Sequence, residues 1–139
     1  MLLATDALSI ERTLGSYMLS SCDLSKSQIA EFTYLHGSAE LLLKFAQTYD
    51  ANTGELLNDH IYRTWLQRNV TELRAMILDK DFVGRCNNLT NVQRTDLTVK
   101  WADIIQLYIL EMDDVRGSHI LPSILQVIIN CYNALNKIK

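Results

Sequence analysis

The stretch Ile120-Leu121-Pro122-Ser123-Ile124-Leu125-Gln126-Val127-Ile128-Ile129-Asn130-Cys131-Tyr132-Asn133-Ala134-Leu135 holds eleven apolar residues in sixteen. Its polar members Ser123, Gln126, Asn130 and Asn133, continued by Lys137, step by three or four, so they form one narrow stripe on a helix of residues 120–137. The stretch before it behaves alike. Trp101, Ile104, Ile105, Leu107, Tyr108, Ile109, Leu110 and Met112 leave little but Asp103, Gln106 and Glu111 polar on a helix of residues 98–113. A surface helix needs only one apolar stripe to join a core, so two helices apolar round most of their circumference must cover a second face. The simplest cover is the same hairpin from a second copy, which predicts a homodimer through residues 98–113 and 120–137. Gly117 is placed to end the first of these helices, and Pro122 is tolerated in the first turn of the second.

Working back toward the start, the same helical period recurs. Leu3, Ala7, Ile10, Leu14 and Met18 predict a helix over 4–20. Ser25 and Gln28 have the spacing of a capping box and open a helix over 25–49, striped by Ile29, Phe32, Ala39, Leu42, Phe45, Ala46 and Tyr49, which Gly37 is placed to bend. Asp50-Ala51-Asn52-Thr53-Gly54 reads as a break. Asp59 caps a third long helix to about Asp79, Asp81 caps a shorter one through Val92, and Thr95-Asp96-Leu97-Thr98 interrupts before the closing hairpin. With five Gly and one Pro, the chain lacks the turn residues of a sandwich or barrel. The expectation is one all-α domain over 1–139.

Composition removes several function classes. Thirteen Lys plus Arg against sixteen Asp plus Glu give a net charge of −3, and no basic helix face suits nucleic acid. No apolar run reaches the ~18 residues of a membrane span, and the start shows no basic region of a signal peptide. Three cysteines, Cys22, Cys86 and Cys131, without CxxC spacing indicate neither a disulfide framework nor a zinc knuckle, and suit a reducing cytoplasm. His36 and Glu40 share a helix face, but two ligands do not make a metal centre. His60 and His119, each at a helix start, read as capping or solvated residues, and no nucleophile has a base at a telling spacing. The chain is expected to bind no metal and to be no enzyme. An apolar interior with Trp65, Trp101, Tyr108 and Tyr132, edged by Arg63, Arg74, Arg85 and Lys100, has the composition of a pocket for an amphiphile.

Around residues 73–101, Asp79, Phe82-Val83-Gly84-Arg85, Leu89, Val92 and Lys100-Trp101 follow the order found in globin-type bacterial sensory domains, and Leu24-Ser25 is similar to the start of that family's first core helix. The resemblance implies a globin-like helical fold. Haem-bearing members place their iron-ligating histidine just after the position of Val92, where this chain has Gln93 and Arg94; their Gly-Leu-Pro-Pro turn is replaced by Asp96-Leu97-Thr98-Val99. The chain therefore resembles the haem-free branch, the stressosome sensors and the stand-alone sporulation-inhibitory proteins similar to sensor domains of sporulation histidine kinases. What the resemblance implies is a sensor without haem that holds a fatty acid and restrains sporulation by competing with a sensor histidine kinase for its signal. The implied lining is Trp65, Leu66, Val70, Leu73, Leu89, Val92, Trp101, Ile105 and Tyr108, with Arg85, Lys100, Tyr108 or His60 as partner to the carboxylate. Two other readings stand beside it: a helical interaction or inhibitor protein with no small ligand, and a haem-binding oxygen sensor using His60 or His36.

Overall fold

The computed structural model describes residues 2–138, with the side chains of Leu2 and Tyr49 outside that description, so the end of the predicted stripe at Tyr49 is not placed. Among the described residues there is no strand, as the composition requires. The described residues form seven α-helices in order: α1 (Leu2–Ser21), α2 (Lys26–Tyr49), α3 (Ala51–Leu57), α4 (Trp65–Ile77), α5 (Phe82–Asn87), α6 (Asn91–Asp114) and α7 (Leu121–Ile138). Two π-helical turns, Asn58–Tyr62 and Val115–Ile120, join α3 toward α4 and α6 to α7.

α1 is the hub. It packs along α2 and α6, and α4 closes the bundle against α6. Leu8, Met18, Leu19, Phe32, Leu43, Val70, Ile77, Trp101, Ile105 and Met112 fill the space between them. Trp101 sits fully buried at the centre, tilted against Phe32 with ring centroids 5.7 Å apart, and its indole N–H donates to the Arg12 carbonyl at 3.0 Å. The backbone of α1 comes this close because residue 15 is glycine. A Cβ at Gly15 would lie within 3.0 Å of three indole atoms.

Several expectations are corrected. Ser25 and Gln28 do form the capping box, with Gln28 N–H donating to Ser25 Oγ at 3.2 Å and Ser25 N–H donating to Gln28 Oε1 at 2.9 Å. Gly37 leaves α2 undivided. Asp50-Ala51-Asn52-Thr53-Gly54 is no simple break, because the Asp50 carboxylate accepts from Asn52 N–H and starts α3. Asp59 falls within a π-helical turn, and α4 begins only after Thr64. α5 starts after Asp81, whose side chain makes no capping hydrogen bond, and ends at Asn87 instead of running through Val92. A second capping box, Thr90 with Gln93, then opens α6, which runs through Thr95–Thr98 without interruption.

The closing hairpin does not form either. Gly117 keeps a negative φ and stays inside the π-helical turn, so the chain continues from α6 into α7 with no reversal. Pro122, which has no N–H to give its helix, is the second residue of α7, just past that widened turn. α6 buries Trp101, Ile104, Ile105, Tyr108, Ile109 and Met112 within its own chain, whereas α7 buries none of its residues.

Cys22 and Cys86 form a disulfide, contrary to the expectation of free thiols, because the residue that follows α1 meets the last turn of α5 although 64 residues apart in sequence. Cys22 takes the left-handed conformation (φ 53°) that usually ends a helix on glycine, and the bridge holds it there. Closing a loop of that length in the unfolded chain contributes about 4 kcal/mol to stability in the chain-entropy account.

The Gly15 contact yields a paired prediction. Gly15→Ala gains at most ~1 kcal/mol of helix propensity but overpacks the indole at a cost of ~1–3 kcal/mol, so the midpoint of thermal unfolding falls. Gly37→Ala, where nothing lies within 4 Å of the new methyl, raises it. Calorimetry of both variants checks the opposite signs.

Candidate functional site

The sequence puts one acid on the inner face of α1 and one base on the inner face of α4. Arg74 donates from Nε to Glu11 Oε1 at 2.7 Å and from Nη2 to Glu11 Oε2 at 2.9 Å, a bidentate pair with Glu11 fully buried and Arg74 only 5% exposed. Desolvating two charges is expensive, and this near-ideal geometry offsets that cost. The fork has five N–H donors, and Glu11 takes two. Nη1 makes no hydrogen bond among the described residues, and Arg74 forms part of the wall of a cleft of about 220 Å³ with His36, Glu40, Thr71, Ala75 and Leu78.

His36 stands on α2 in that wall, its Nε2 3.6 Å from Glu40 Oε1 and its Nδ1 buried without a partner. Burial, then the Arg74 charge, lower its pKa below the usual imidazole value, against the opposing pull of Glu40 and Glu11. The ring is therefore neutral at pH 7. Two tyrosines flank the region: Tyr108 donates to Gln67 Oε1 at 3.1 Å, and burial raises the pKa of both Tyr108 and Tyr62, which keeps their hydroxyls protonated. Next door, Glu40, Lys44, Gln47, Asn58 and Tyr62 line a second cleft of about 310 Å³. A buried guanidinium with its Nη1 unbonded, beside an imidazole whose Nδ1 has no partner, is suited to a small oxyanion, not to a long alkyl chain.

The residues expected to line a fatty-acid pocket do not come together as one. Leu66, Val70, Leu73, Trp101, Ile105 and Tyr108 are buried in the common core, while Leu89 is half-buried. Trp65 and Val92 are 57% and 70% exposed, and Arg85 and Lys100 lie on the surface. Arg85 lies 3.7 Å from Asp79 as a surface ion pair. Trp65 and Leu66 share a third cleft, of about 290 Å³, with His60 and Glu111. His36 and His60, considered as unorthodox haem ligands, stand in different clefts. Arg74 was legible as a base near the core edge. Glu11 was not singled out, because one acid in an apolar stripe reveals a partner only once the helices are assembled.

Breaking the pair tests its weight. Arg74→Met leaves Glu11 buried and unpaired, at a cost of about 3–5 kcal/mol, whereas Glu11→Leu with Arg74→Met recovers most of that loss. Denaturant midpoints of the wild type, both single variants and the double variant measure it; equal losses in the Arg74→Met and double variants would contradict the account.

No curated protein and no solved structure matches the chain. Residues 1–118, from the first residue of the chain into the π-helical turn after α6, match the family described as nitrate and nitrite sensing. The match gives the expected class, a sensory domain, while the globin-type and stressosome resemblance finds no support in it. No helix among the described residues is long and apolar enough to cross a membrane. α7 lies beyond the matched residues, and the buried arginine, its cleft and the bundle that holds them lie within them, so the chain belongs to the nitrate and nitrite sensing family and is an all-α sensory domain of signal transduction.

Proposed function

We propose that this domain senses nitrate or nitrite by taking the anion into the cleft walled by Arg74, His36 and Thr71. The observation that carries the reading is the buried Arg74 guanidinium, which is fixed by Glu11 yet keeps donors free at the cleft. Glu11 orients the fork; its carboxylate is itself a planar oxyanion and occupies one edge as nitrate would occupy another. Glu40 opposes an anion in this cleft, so the proton that His36 lacks at neutral pH becomes favourable once the anion is present, and affinity rises as pH falls. The family description supports this ligand class in place of the fatty acid and the sporulation role, which the globin-type resemblance implied.

Isothermal titration of the full chain with nitrate, nitrite and chloride tests the site. Nitrate or nitrite gives saturable binding that exceeds chloride. His36→Ala or Thr71→Val weakens it by about tenfold, the worth of one hydrogen bond to a charged ligand. Arg12, next to Glu11 on α1, bonds Gln106 Oε1 instead of facing this cleft. Loss of binding in Arg12→Gln with none in the cleft variants would move the site elsewhere, and absence of binding by both anions would remove the reading.

The readout we propose is a homodimer through α7. Its uncovered residues include Ile124, Leu125, Val127, Ile128, Ile129, Tyr132 and Leu135, an apolar surface that water disfavours and that a second copy would bury. α6 is a lesser part of that interface, since most of its apolar face is spent within the chain. Sedimentation velocity is expected to show a dimer that Ile128→Asp converts to monomer. A wild-type chain that sediments as a monomer at tens of micromolar would contradict this.

A further inference from the structure

The two histidines read as separate capping residues meet in the fold. His60 lies in the π-helical turn after α3 and His119 in the one after α6, and their ring centroids are 5.3 Å apart. Two carboxylates join them: His60 Nδ1 stands 3.1 Å from Glu111 Oε2 and 4.0 Å from Asp114 Oδ2. One donor atom each from His60, Asp114 and His119 lies within 4.8 Å of the others. The π-helical turn is what produces this. In an α-helix Asp114 and His119, five residues apart, would point about 140° from each other, whereas i→i+5 hydrogen bonding stacks them on one face.

From this cluster we infer a binding site for a divalent transition metal, zinc being the natural occupant, with His60, His119 and Asp114 as ligands and Glu111 as the carboxylate beside His60. Tetrahedral zinc with bonds of ~2.0 Å spaces its ligand atoms by about 3.3 Å, against 4.0 Å between His60 Nδ1 and Asp114 Oδ2 and the 4.8 Å within which all three ligand atoms lie. Two imidazoles with a carboxylate select zinc, copper or nickel over magnesium and calcium, which prefer oxygen alone. The three ligand side chains are half-buried or exposed, so they can draw in by the ångström or so that closure needs. A bound ion joins the segment leading into α4 to the turn from which α7 leaves, and so fixes the base of the proposed dimer helix. None of the three ligands belongs to the oxyanion cleft, so either site stands if the other fails.

The test uses the full chain carrying Cys131→Ser, which removes the exposed thiol on α7 as a competing ligand, after dialysis against chelator. Titration with zinc is expected to show one equivalent bound, a raised unfolding midpoint and no comparable response to magnesium. Cobalt in place of zinc is expected to give the visible bands of a low-coordinate nitrogen and oxygen site. His60→Ala and His119→Ala each weaken zinc binding at least about tenfold, since even outer-shell losses at metal sites cost that much. Circular dichroism shows that the variants fold. Absence of saturable zinc binding, or affinity unchanged in the folded double variant, overturns the assignment.

Discussion

The bidentate contact between Glu11 and Arg74 is the constraint on which the site depends. It crosses from α1 to α4 in the interior, where an unpaired charge costs several kcal/mol, so neither helix can shift without exposing or orphaning one member. Because both carboxylate oxygens engage the same edge of the guanidinium, the plane of the fork is fixed. What remains of Arg74 is thereby presented to the cleft in a set orientation, with no rotamer search left for a ligand to offset.

α1 carries this constraint into the rest of the bundle. Glu11, Arg12 and Gly15 lie within little more than one turn, and they face α4, Gln106 and Trp101 in turn. The helix that anchors the arginine is therefore also the helix wedged against α6, and its far end is tied to α5 through Cys22 and Cys86. An oxidised bridge is the form favoured in an oxidising compartment, so the cysteines no longer support the cytoplasmic setting that their spacing suggested. The same α6 runs on through a widened turn into α7, which lies outside both the core and the family match.

How much of this was legible follows from the range of each interaction. Ser25 and Gln28 were read correctly because a capping box is complete within four residues. Thr90 and Gln93 carry the same signal, but the run Thr95–Thr98 beside them has the look of an interruption; in the fold Thr95 and Asp96 face outward, Leu97 packs against the core, and the helix is continuous through them. The apolar character of the last two helices was plain, but not its allocation: α6 spends its surplus on α1 and α4, and only α7 keeps one uncovered. The period of the chain said nothing of the Glu11–Arg74 pair, the His60–His119 approach or the disulfide, because each joins residues more than fifty positions apart, and helical spacing reports only which face a residue occupies. The π-helical turns were illegible for a different reason: Gly117 next to a polar run resembles a helix stop, and only tertiary packing makes it a widened turn.

The most direct test of the central claim is the nitrogen-15 spectrum of the arginine side chains as nitrate is added. The Arg74 Nε–H, held on Glu11, is expected to exchange slowly with water, and the free Nη1 group of Arg74 to shift with saturation on nitrate and not on chloride. A rapidly exchanging Arg74 Nε–H, or nitrate shifts confined to other arginines, would contradict the account.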